Sequence, residues 1–99
     1  MSTAEITKAR SIIKAAIAQG FAVSLSNGEE YTVKRSTNIN DFKGEVGTTG
    51  IDVLLLRDVV SDLQIGRIWL VYGNSVEELI CDYSDNPAME QFLASIGEA

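Results

Sequence analysis

The chain has 99 residues, 45% of them hydrophobic and 22% charged, with a net charge of −6. That balance suits one small folded domain and excludes a disordered tail. There is no histidine, one cysteine and one proline, which excludes a hydrolase built on a Ser-His or Cys-His pair and any internal disulfide. A pI near 4.4 disfavours nonspecific attachment to DNA, RNA or an anionic membrane.

Ser2-Thr3-Ala4-Glu5 reads as a capping box, with Ser2 and Glu5 each satisfying the other's backbone N–H. Ile6, Ala9, Ile12, Ile13, Ala16 and Ile17 then recur at three- and four-residue spacing. This predicts an amphipathic helix from about Thr3 to Gln19, ended by Gly20. Phe21, Val23 and Leu25 alternate with small polar residues, and Tyr31 and Val33 alternate with Thr32 and Lys34. Two half-buried strands follow from that period. A three-residue loop, Ser26-Asn27-Gly28, keeps apolar residues on one face by pairing Val23 with Tyr31 and Phe21 with Val33.

Between Ser36 and Gly50, Thr37 or Asn38 caps one or two helical turns carrying Ile39, Phe42 and Val46. The glycines beyond predict a mobile loop. Residues 51–56 and 65–72 are apolar on both faces, as in strands covered on each side. Glu78 to Tyr83 reads as a fifth strand, in which Cys81 is a small buried residue alternating with Leu79 and Tyr83. Asn86 then caps a helix with Pro87 at its first position, a buried stripe of Met89, Phe92, Leu93 and Ile96, and Gly97 at its end.

The order α-β-β-(α)-β-β-β-α predicts a single α+β domain with an antiparallel sheet of about five strands packed against the terminal helices. The expected core is Phe21, Val23, Val33, Val53, Leu55, Trp69, Val71, Phe92 and Ile96. Leu54, Leu56, Ile68 and Leu70 also need cover. Either both sheet faces are occupied, or one is buried against a second subunit; the surplus apolar surface favours a homodimer over a monomer.

Charge is unevenly spread. Residues 1–43 hold six Lys/Arg against four acids, whereas residues 44–99 hold two Arg against ten acids. An acidic half without catalytic groups points to binding rather than turnover, with no cofactor. In a simple meander, alternate turns would bring Glu29, Glu30, Asp58, Asp62 and Asp85 to one end, and Asp52, Glu77, Glu78, Asp41 and Glu45 to the other. The expected partner-binding residues are Glu29, Glu30, Asp58, Asp62, Glu77, Glu78 and Asp82, with Trp69 or Tyr72 as aromatic anchors where exposed. No sheltered carboxylate pair for general acid/base work is visible. Asp82-x-x-Asp85-Asn86 has the composition of an oxygen-ligand metal site, but its bland reading is a strand end leading into a helix cap. The rival function is a small metal- or metabolite-binding protein or enzyme using Asp82 and Asp85.

Val71-Tyr72-Gly73-Asn74, Ile80-Cys81-Asp82-Tyr83-Ser84-Asp85-Asn86, Asn27-Gly28-Glu29-Glu30 and Lys34-Arg35-Ser36-Thr37 together resemble small acidic accessory proteins encoded by phages and prophages. The resemblance implies a protein that binds and blocks a host system, as anti-CRISPR and anti-restriction proteins do, and it brings no active site with it. The expectation is a non-enzymatic inhibitor in the host cytoplasm, docking onto a basic surface of a nucleic-acid-processing or defence complex, with no direct nucleic acid and no membrane.

Overall fold

The computed structural model describes residues 3–98. The elements are α1 (Thr3–Ala18), β1 (Phe21–Ser26), β2 (Tyr31–Ser36), a 3-10 turn (Ile39–Phe42), β3 (Ile51–Asp58), β4 (Gln64–Val71), β5 (Ile80–Tyr83) and α2 (Pro87–Ser95). The strands form one antiparallel sheet in the order β2-β1-β3-β4-β5. This is the expected α+β arrangement in the expected chain order.

Both helices lie on the same face of the sheet. Ala9, Ile12, Ile13 and Ala16 of α1 and Met89, Phe92 and Leu93 of α2 join Val23, Leu25, Leu54, Leu56, Ile68 and Leu70 in one core. Phe21 meets Phe92 edge-to-face with ring centroids 6.0 Å apart, a favoured aromatic geometry. Asn86 caps α2, its side chain accepting from the Met89 N–H at 2.8 Å. At α1, Ser2 lies outside the described residues. Glu5 is buried, and its carboxylate accepts from the Gly73 N–H at 2.9 Å.

The β1–β2 hairpin departs from the expected register. Ser26 pairs with Tyr31 and Leu25 with Val33, so the loop has four residues, Asn27 to Glu30. The Asn27 side chain widens it by accepting from both the Glu29 and Glu30 N–H groups at 3.0 Å, an Asx arrangement that competes with the tighter turn. The next pair is Val23 with Ser36. The extra residue on β2 forms a bulge at Lys34-Arg35, where Arg35 takes a left-handed φ of 47°.

The larger topological difference lies in residues 37–50. This segment crosses the helix-bearing face and delivers β3 to the far side of β1, with the fully buried Phe42 anchoring it in the core. Asn38 caps the 3-10 turn by accepting from the Asn40 N–H. Beyond it, Gly47 donates to Asp52 at 2.7 Å and the Thr49 hydroxyl donates to Asn27 O at 2.9 Å. The segment expected to be a mobile loop is therefore tied at several points.

The side chains facing the core are the reverse of the expectation for β3 and β4. Leu54, Leu56, Ile68 and Leu70 are fully buried, whereas Val53, Leu55, Trp69 and Val71 are only half-buried on the other face. The register decides this: β1 buries Val23 and Leu25, and these sit opposite Leu56 and Leu54, so those partners share their face. Phe21 and Ile96 are also half-buried. Cys81 is exposed rather than buried, because a bulge between the Trp69–Asp82 and Leu70–Ile80 pairs breaks the alternation.

Candidate functional site

With both helices on one face, the opposite face of the sheet has no covering layer among the described residues. Its composition follows from the pairing register. One transverse row runs Tyr31, Ser26, Val53, Trp69, Asp82 across β2, β1, β3, β4 and β5. The next row holds Ser24, Leu55 and Arg67, with Arg35 fastened beside it through its N–H to the Ser24 hydroxyl at 2.9 Å. A third row holds Ala22, Arg57 and Gln64, and Ile51 pairs with Val71 at the other end.

A surface cavity of about 300 Å³ opens on this face, lined by Ser24, Tyr31, Lys34, Arg35, Leu55, Arg57 and Gln64. Three of its lining residues are cations and none is an acid. Arg57 is held in place by the β3–β4 turn, its Nη1 donating to Asp62 O at 2.6 Å with the Asp62 carboxylate 3.6 Å away. That turn presents Val59, Val60 and Leu63 to solvent. Its shape is set by Asp58, which accepts from the Val60 and Ser61 N–H groups at 2.8 and 3.0 Å; these bonds hold the Asp58 carboxyl below its usual range.

The acidic residues do not assemble as a simple meander requires. Since β3 pairs with β1 and not with β2, Glu29 and Glu30 share an end of the sheet with Glu77 and Glu78. Asp58 and Asp62 occupy the opposite end, with Asp85 beyond β5. Asp82 stands apart on the uncovered face, beside Trp69. Asp41 accepts from the Ser36 hydroxyl at 2.6 Å. Asp82 accepts from its neighbour's backbone, the Tyr83 N–H, and among the described residues no group of three or more His, Cys, Asp or Glu is arranged to hold a metal.

Comparison with known proteins returns no matching family model, no similar curated protein and no similar solved structure. Among the described residues, no helix is long and apolar enough to cross a membrane.

A sheltered carboxylate does exist, and sequence reasoning missed it. Asp52 is 0% exposed on the core face of β3; its Oδ2 accepts from the Tyr72 hydroxyl at 2.6 Å and from the Gly47 N–H at 2.7 Å. Its Oδ1 is buried and has no hydrogen-bond partner among the described residues. Burial pushes the Asp52 carboxyl above its usual range, against the lowering effect of the two bonds. Tyr72 is raised as well, by burial first and then by Asp52 and Glu5, so it remains a neutral donor. None of the three cavities described is lined by Asp52 or Tyr72. The pair fastens the start of β3 to the 45–50 segment and to the chain leaving β4.

This pair has a pH signature. A carboxyl raised in the folded state binds its proton more tightly there than in the unfolded chain, so its contribution is full at acid pH and is lost as pH rises through the folded pKa. Asp52→Asn, neutral throughout, removes that dependence. The melting-temperature advantage of the parent over the variant should therefore be greatest below the usual carboxylate range and shrink towards neutral pH. An advantage that grows with pH would show Asp52 to be stabilised as an anion.

Proposed function

We propose that this chain is a non-enzymatic interaction protein whose working surface is the uncovered face of its sheet together with the β3–β4 turn. One observation carries the reading. Among the described residues, the exposed large hydrophobic side chains are Tyr31, Ile51, Val59, Val60 and Leu63; two lie on that face, three lie on the turn closing its end, and none lies on the helical layer. Apolar surface gathered on one side of a small protein and rimmed by charge is the usual signature of a docking site. A second copy is the weaker occupant, because stacking two such faces would crowd Lys34, Arg35, Arg57 and Arg67 of each against the other.

The reading keeps the expected function class, an accessory protein that occupies a partner, and moves the contact away from the acids. A rival contact remains for Glu29, Glu30, Glu77 and Glu78, which share one end and are exposed, the rival partner being a host protein with a basic surface. Capture from a bacterial lysate with three baits separates the two. Val60→Ser/Leu63→Ser should fold like the parent, since both side chains are exposed, and should lose the captured partner. Replacing the four glutamates by glutamine should leave capture intact. The opposite pattern would transfer the function to the acidic end.

A further inference from the structure

We propose that the cationic cavity and the aromatic row beside it bind single-stranded nucleic acid, a phosphate entering among Lys34, Arg35 and Arg57 and bases stacking on Tyr31 and Trp69. The proposal rests on the reading above and names the chemistry of the partner. The net charge of −6 opposes a polyanion at long range, where salt screens it, whereas a bound phosphate responds to the charges within a Debye length. Here four of the chain's eight cations, Lys34, Arg35, Arg57 and Arg67, belong to one sheet face, and the local field governs a bound phosphate. Acids bear on that face at its edges: Asp62 offsets part of Arg57, Asp82 lies on the β5 edge, and Glu29 and Glu30 lie in the loop beside Tyr31.

The rings give the second argument. Tyr31 and Trp69 share a transverse row three strands apart, about 14 Å at the usual strand spacing. An open sheet that alternates rings with cations offers faces for unpaired bases and charges for the linking phosphates. An acidic peptide would use the cations and leave the rings unmatched. A duplex hides its bases from both rings. The third argument is strain. Arg35 is held at φ 47°, a conformation that is costly for a residue with a side chain and that tends to persist at functional positions.

The test is fluorescence anisotropy of a labelled short oligothymidylate titrated with the protein at several salt concentrations, with the quenching of Trp69, the single tryptophan, followed in parallel. Binding should weaken with salt with a log–log slope of roughly −2 to −3, the value for three or four phosphate contacts. Lys34→Gln/Arg67→Gln, both exposed, should weaken it about tenfold or more. Arg35→Gly should weaken binding while preserving or raising the melting temperature, because glycine relieves the left-handed backbone. A duplex of the same length should compete poorly. Absence of binding at low salt, indifference to these variants, or equal competition by duplex would each overturn the proposal. If the oligonucleotide fails while the Val60→Ser/Leu63→Ser bait still loses its partner, this inference falls and the docking reading stands.

Discussion

Phe42→Ala should cost about 3–5 kcal/mol of folding free energy, the usual range for emptying a buried phenylalanine site. Phe42 is fully buried at the end of the 3-10 turn and packs within the core that joins α1 to the sheet. It is also the anchor of the crossing segment that carries the chain from β2 to the start of β3. Its loss thus leaves a cavity and frees the connection on which the strand order depends. A domain of this size is stable by about 5–15 kcal/mol in all, so the midpoint of a thermal melt should fall by roughly 15–30 °C. Phe42→Leu, which retains most of the volume, should fall much less. A loss below about 1 kcal/mol for the alanine variant would mean that the crossing segment is not packed as described.

Gly66→Ala should be the most damaging small substitution in the sheet, at about 1–3 kcal/mol. A Cβ at Gly66 would lie 2.8 Å from Ser84 Cβ and 2.9 Å from Met89 Cε. The methionine tip can swing away, but Ser84 cannot easily retreat. Its N–H donates to Arg67 O at 3.0 Å and its hydroxyl accepts from the Arg67 N–H at 2.9 Å, continuing the β4–β5 pairing. The clash therefore pushes against the β5 edge and the entry to α2. Urea unfolding of Gly66→Ala, Ser84→Gly and the double variant tests this directly. The double variant should be less destabilised than the two singles predict together, and strict additivity would contradict the contact.

Where sequence periodicity was unambiguous, it led to the right structure. The stripe from Ile6 to Ile17, the Asn86-Pro87 cap and the strand-rich middle all fold as their spacing dictates. Periodicity fails in β3 and β4 because both faces are apolar. Val53 and Leu55 are as hydrophobic as Leu54 and Leu56, and the polar Asp52 lies on the buried side, where it misleads. Only the register with β1 distinguishes the faces, and β3 reaches β1 through the 37–50 crossing segment rather than through a tight turn that local sequence encodes. The acidic ends were misassigned for a related reason. A fourteen-residue connection can return to either edge of a hairpin, and the burial of Phe42 is a tertiary outcome that local pattern does not encode. The candidate surface was hidden by the same ambiguity: Lys34, Arg35, Arg57 and Arg67 are scattered in sequence, and only the strand order β2-β1-β3-β4 brings them to one face.

The claim that this face is the working surface is tested most directly by an amide NMR map of isotope-labelled protein in dilute bacterial lysate against the same protein in buffer. Selective shifts or broadening are expected at Ser24, Lys34, Leu55, Arg67 and Trp69 and in the β3–β4 turn, with the Trp69 indole as a single sensitive reporter and with α1 and α2 unchanged. Perturbation confined to the Glu29, Glu30, Glu77 and Glu78 end, or to the helical layer, would contradict it.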